Sequence, residues 1–224
     1  MKSKLLSLFV VLYIFPNALS AIEIVEDNPS PHTPIRYFTK WFTSINGGTQ
    51  FYIGDHDKQI NLVKRLTPHY EFSIGKWLNQ SFGVRASVNG FKIKGLTKKS
   101  PYATSGDMII KSPHYLYNQE FNFVHIHTDL LFHFSNDAYD IDLDRLYNII
   151  PYGGLGIISA TNQHKKTNII LNLGLIQSLR LNSNVDLNFD MRGSIVSDSF
   201  DGEIGGKKFE GSGAATIGIT YTFR

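Results

Sequence analysis

The stretch that most constrains this chain is Thr216-Ile217-Gly218-Ile219-Thr220-Tyr221-Thr222-Phe223, one residue short of the end of the sequence. In a strand, successive side chains point to opposite faces. Ile217, Ile219, Tyr221 and Phe223 therefore share one face, and Gly218, Thr220 and Thr222 share the other. One face is wholly apolar and the other is small and polar. A soluble β-sandwich would pack the apolar face on a second sheet. A transmembrane barrel would turn it to lipid and line its own interior with the polar face.

The beginning of the chain favours the second solution. Lys2 and Lys4 precede an apolar run from Leu5 to Phe15, then Pro16 and small residues at Ala18, Ser20 and Ala21. That order is the signature of a secretory signal peptide, expected to span residues 1–20 with cleavage after Ser20. An apolar run of about 11 residues is too short to cross a bilayer as a helix. No other stretch approaches the ~20 apolar residues that such a helix needs. The chain has no Cys, which rules out a lipoprotein, disulfides, thiolate metal sites and a thiol nucleophile. Removing Lys2 and Lys4 takes the 22 basic residues to 20, against 19 acidic ones. The exported chain is thus nearly neutral, and its bulk charge gives no argument for nucleic acid. Residues 21–40 hold Pro29, Pro31 and Pro34 beside Glu23, Glu26 and Asp27, without periodicity. They read as a weakly structured periplasmic tail.

From residue 41 onward, eight alternating segments are separated by polar loops, the pattern of a transmembrane barrel. They run over Trp41–Ile53, Leu66–Gly75, Phe82–Ile93, Phe121–Phe134, Ile149–Ala160 and Ile169–Leu181, then from Val185, and last over Thr216–Phe223. Apolar faces include Pro68, Tyr70, Phe72 and Ile74 in the second segment, and Val185, Leu187, Phe189 and Met191 in the seventh. The fifth is Gly-rich and its faces are ambiguous. Pro68 and Pro151 both fall near expected strand starts, where a missing donor is tolerated. An even strand count leaves both chain ends in the periplasm. Loops around 54–65, 94–118, 161–168 and 197–210 then face outside, and turns around 76–81, 135–148 and 182–184 face the periplasm. Trp41, Trp77, Phe134, Tyr147, Tyr221 and Phe223 gather at the periplasmic end as an aromatic belt.

Thr216, Gly218, Tyr221 and Phe223 resemble the C-terminal insertion signal of bacterial outer-membrane barrels, although Arg224 follows the aromatic on which that signal more often ends. Trp41 to Gly54, Gly75-Lys76-Trp77, Val84-Arg85, Pro151-Tyr152-Gly153-Gly154-Leu155-Gly156 and Asp201-Gly202-Glu203 to Phe223 extend the likeness. Together the chain resembles the small outer-membrane β-barrel superfamily, the OmpA-barrel and OmpX-like proteins, and especially porin-family barrels of Gram-negative Bacteroidota. The resemblance implies an all-β, eight-stranded antiparallel up-and-down transmembrane barrel over residues 41–224. It also implies an outer-membrane location and the barrel-assembly machinery as a partner during biogenesis. No peptidoglycan-binding segment follows the last strand in this sequence, so the resemblance does not imply that activity.

The inward faces carry Glu71, Arg85, His125, His127, Asp129, Arg180, Asp186, Asp190 and Arg192. A turn centred near Leu78 would set Glu71 across from Arg85, and one centred on Ser183 would set Arg180 across from Asp186. An eight-stranded barrel is just wide enough for its side chains to fill, and buried charges must be paired. The expectation is a hydrogen-bonded polar plug. Its competitors are a lipid-modifying site or proton path built from Glu71, His125 and Asp129, and a metal held by His125, His127 and Asp129. Neither has enough support to assign a catalytic group, a cofactor or a metal. Each outer loop also carries a basic pair: Lys64-Arg65, Lys98-Lys99, Lys165-Lys166 and Lys207-Lys208. These pairs would meet the phosphates of lipopolysaccharide, or they merely solvate the loop tips. The function expected is structural or interactive, through outer-membrane lipid, lipopolysaccharide or an external partner. A narrow pore is the alternative, running through gaps that Gly47, Gly48, Gly154, Gly156 and Gly174 would leave.

Overall fold

The computed structural model describes residues 40–54, 61–79, 81–98, 100–104, 108–110, 115–133, 146–162, 166–197, 200 and 209–223. The expected signal peptide and N-terminal tail lie outside them, except Lys40, which opens the first strand. Among the described residues nine strands follow in order: β1 (Lys40–Ile53), β2 (Thr67–Trp77), β3 (Phe82–Thr97), β4 (Met108–Ile110), β5 (Leu116–Phe132), β6 (Tyr147–Ala160), β7 (Thr167–Arg180), β8 (Val185–Ser197) and β9 (Phe209–Thr222). One short helix, α1 (Leu62–Arg65), lies between β1 and β2. Every neighbouring pair is antiparallel. Pairing of β1 with β9 and of β3 with β5 closes eight strands into a ring. The ninth, β4, adds three residues to β5 outside that ring.

The faces follow the sequence alternation. On β2, Thr67, His69, Glu71, Ser73 and Gly75 are buried, while Pro68, Tyr70, Phe72 and Ile74 are exposed. The exposed side chains are not water-compatible as a set: Ile169 is 74 % exposed, Ile45 69 % and Leu173 60 %. An apolar band of this kind around a closed sheet is a lipid-facing wall. The described residues contain no helix long and apolar enough to cross a membrane. On β6, where the sequence left the faces ambiguous, Asn148, Ile150, Tyr152 and Ile158 turn inward.

β9, β3 and β5 run furthest past their expected bounds. β9 begins at Phe209, not near Thr216, because Gly211 to Ala215 are too small to show alternation yet pair continuously with β1 and β8. Glu210, expected in a loop, is therefore a buried strand residue. β3 and β5 run on to Thr97 and back to Leu116 as a ribbon with pairs such as Lys94–Glu120. Beyond the lipid nothing forces apolar alternation, so the sequence pattern faded there. Pro151 is the fifth residue of β6, not near its start. It pairs with Leu175 on one side and lies just beyond the last β5–β6 pair, Leu131–Tyr152, on the other. A missing donor is tolerated at the end of a ladder. Phe134 and most of the turn expected around 135–148 lie outside the described residues.

Candidate functional site: a charged core between two apolar seals

The lumen is filled in three layers. At the end carrying the short turns, Phe42, Leu131, Ile150, Tyr152 and Ile176 form a buried cluster with Trp77 packed against it. Trp77 belongs to the inward face of β2 and lies 6.0 Å from the Phe42 ring and 5.1 Å from the His133 ring. It is therefore a stopper in the barrel mouth, not a member of the belt. Trp41 does face outward, with the Lys76 ammonium 5.4 Å from its ring centroid. At the opposite end, Tyr52, Phe121 and Phe200 interlock edge to face, with centroids 5.4 to 6.4 Å apart. Ile93, Phe123, Ile158, Ile170 and Val196 complete that seal.

Between the seals lies the polar layer. Arg85 donates through Nε and Nη2 to Asp129 Oδ2 at 3.0 and 2.7 Å, and through Nη1 to Asp190 Oδ2 at 3.3 Å. Arg192 Nη2 stands 2.5 Å from Glu71 Oε2, and its Nε donates to the Tyr152 hydroxyl at 3.0 Å. That hydroxyl donates in turn to Asp190 Oδ1 at 2.7 Å. His127 links Asp129 Oδ1, 2.9 Å from Nδ1, to Glu71 Oε2, 3.5 Å from Nε2. His125 stacks on His127 at 4.5 Å, and the Asn89 amide reaches Glu71 and both imidazoles. Both guanidinium groups also lie against the Tyr152 ring, at 4.6 and 5.9 Å. Three carboxylates thus meet two guanidiniums in a buried space, which is tolerable only because the charges are paired.

Seven of the nine expected interior groups come together here. Arg180 and Asp186 instead form a separate, part-exposed pair at 3.6 Å near the short-turn end, directly opposite each other as expected. The other register differs. Glu71 pairs with Asn89, and Arg85 pairs with Gly75. The Asn79 side chain accepts from the N–H groups of Ser81 and Phe82, which centres the turn two residues beyond Leu78. Glu71 still comes within 3.9 Å of Arg85, diagonally across the sheet. Among the described residues no group of three or more His, Cys, Asp or Glu is arranged to hold a metal ion. Tyr152 is the principal residue that sequence reasoning missed. Its one signal was an aromatic beside inward-facing glycines.

Those glycines are not gaps. The Tyr152 ring lies in the space beside Gly174, Asp129 in that beside Gly154, and the His125 and His127 side chains in that beside Gly156. Gly48 abuts the backbone of Ala215 and Thr216, and Gly47 faces outward. A Gly174→Val substitution should push Tyr152 away from Asp190 and Arg192 and cost about 1–3 kcal/mol through overpacking. Gly153→Val points outward and should cost under about 1 kcal/mol. Urea unfolding midpoints of the two variants in lipid compare them directly.

The insertion-signal residues divide by face. Thr216 and Gly218 turn inward, with Asn46 filling the space beside Gly218, while Tyr221 and Phe223 form an exposed edge-to-face pair at 5.1 Å. The basic pairs are less uniform. Lys64 and Lys98 are exposed and Lys166 is half-buried. Arg65 is buried and donates to the Tyr52 carbonyl at 2.6 Å, so it anchors α1 over the mouth and is not a surface charge. Lys99, Lys165, Lys207 and Lys208 lie outside the described residues.

A ring of eight antiparallel strands with a lipid-facing apolar wall and a filled lumen defines a small outer-membrane β-barrel protein of the Gram-negative envelope. The comparisons agree. The chain is 27 % identical over 191 residues to Outer membrane protein 40 of Porphyromonas gingivalis, a match covering 81 % of this chain and 46 % of that protein. It is 24 % identical over 153 residues to Outer membrane protein 41 of the same organism, covering 66 % and 36 %. The chain thus spans less than half the length of the curated relatives it matches. Among solved structures, Neisserial surface protein A superposes with a TM-score of 0.52 at 14 % identity, covering 82 % of this chain and 97 % of that one. No protein-family model matches the chain.

Proposed function

We propose that this protein is a sealed scaffold of the outer membrane, acting through its outer wall and surface loops on lipopolysaccharide or an external partner. The observation that carries this reading is the lumen, where apolar clusters lie on both sides of a charged layer in which each carboxylate has an ion-pair partner. A sealed lumen offers no route for solutes. Glu71, His125 and Asp129, the groups a lipid-modifying enzyme would use, are each at most 4 % exposed, which favours a packing role over catalysis. Deleting the gene should raise outer-membrane permeability to a hydrophobic dye while leaving uptake of small sugars unchanged. Slower sugar uptake with an intact dye barrier would instead support a channel.

Export through a cleaved signal peptide belongs to the same reading. The intact mass of the protein extracted from outer membranes should correspond to a chain starting at Ala21. A mass retaining Met1 to Ser20 would contradict it.

A further inference from the structure

We infer that Lys92 and Lys94, on the outer wall of the barrel, bind a phosphate of the phosphorylated glycolipid of the outer leaflet, with Tyr70 and Phe91 lying beneath against its acyl chains. The inference rests on the sealed-scaffold reading and gives it a site. Three independent observations carry it.

The first is height. The outward face of β3 is apolar or small from Phe82 through Val84, Ala86 and Val88 to Phe91, and becomes charged at Lys92. Nine residues at ~3.3 Å each, tilted by about 40°, rise roughly 23 Å, close to the apolar band of outer-membrane barrels. On β5 the same transition falls between Val124 and Asn122, the strand partner of Lys92. Both ammonium groups therefore emerge where acyl chains give way to headgroups. The wall ends where the charge begins.

The second is charge. Lys92 Nζ donates to Glu120 Oε2 at 2.9 Å, and Lys94 Nζ lies 3.2 Å from Glu120 Oε1. Two ammonium groups share one carboxylate, and the lysine side chains remain 40 and 42 % exposed. One net positive charge and unused donors face the membrane surface, complementary to a phosphate.

The third is the backbone of Phe91, at φ 152°, a conformation that L side chains rarely adopt. The strand partners of Phe91, His69 and Phe123, both point into the lumen, yet Phe91 is 51 % exposed on the outside. It meets Tyr70 edge to face at 5.8 Å. Local strain of this kind persists where the surroundings demand it and is concentrated at binding sites. Here it adds an aromatic pair to the wall directly below the two lysines.

The test is binding by the full-length protein in neutral detergent, read by native mass spectrometry with bisphosphorylated lipid A, dephosphorylated lipid A and phosphatidylglycerol as probes. Wild type should prefer bisphosphorylated lipid A over either other probe by about tenfold or more. The Lys92→Ala/Lys94→Ala variant should lose at least about tenfold, and Glu120→Gln, which frees both ammonium groups, should gain about threefold. Equal binding by wild type and the double lysine variant would overturn the site, as would unchanged or weaker binding by Glu120→Gln, or equal affinity for phosphatidylglycerol. A heat-modifiability gel on each protein separates the two levels. Failed binding with an intact heat shift overturns the site and leaves the barrel standing; a wild type without a heat shift overturns both.

Discussion

Arg85→Leu should destabilise the barrel by about 3–5 kcal/mol, the range for removing one partner from a buried ion cluster. Arg85 is 2 % exposed and is bonded to Asp129 and Asp190, with Glu71 at 3.9 Å. Leucine would fill part of the volume but leave those carboxylates facing only Arg192, His127 and neutral donors. Unpaired carboxylates in a buried interior cost far more than the apolar contact restores. Arg180→Leu is the internal control. Its pair with Asp186 spans 3.6 Å and its side chain is 28 % exposed, so screening by water limits the expected cost to at most about 1 kcal/mol. Urea unfolding of both variants in the same lipid, followed by the mobility of the folded band, gives the comparison. Equal costs for the two would contradict the buried network.

Leu173→Arg should cost about 2–4 kcal/mol, the penalty for a cation on the lipid face near the bilayer midplane. Leu173 lies midway along the outward row Ile169, Leu171, Leu173, Leu175 and Leu179 of β7, and is 60 % exposed. The same substitution on a water-facing strand would be nearly neutral, since exposed positions rarely shift stability beyond about 0.5 kcal/mol. The variant therefore tests the medium, not the packing. A folded yield and unfolding midpoint equal to wild type would return the chain to the soluble sandwich.

Strand identity and facing were legible wherever side chains alternated strictly, because one face of every such strand had to satisfy lipid and the other the lumen. Glu71, Arg85, His127, Asp129 and Asp190 could be assigned to one interior for that reason. Their partners could not. Arg85 meets Asp190 across the lumen, 105 residues apart in sequence, and no strand register encodes that contact. The Glu71–Arg85 register failed on one side chain, because the Asn79 amide sets the turn centre. Tyr152 escaped notice because Ile149 and Ile150 are both apolar, so the period of β6 is not readable. The inward glycines suggested gaps because a sequence records the absence of a side chain but not which neighbour moves into the space. Arg65 read as a surface cation for a similar reason: its loop folds back, and the Tyr52 carbonyl captures it.

A sealed lumen carries no ions, and planar-bilayer conductance of the refolded protein reads that out. A heat-modifiable, fully inserted preparation in molar potassium chloride should show no stepwise openings. The bilayer current should stay at baseline for wild type. Reproducible unitary steps from wild type, scaling with the amount of protein inserted, would contradict it.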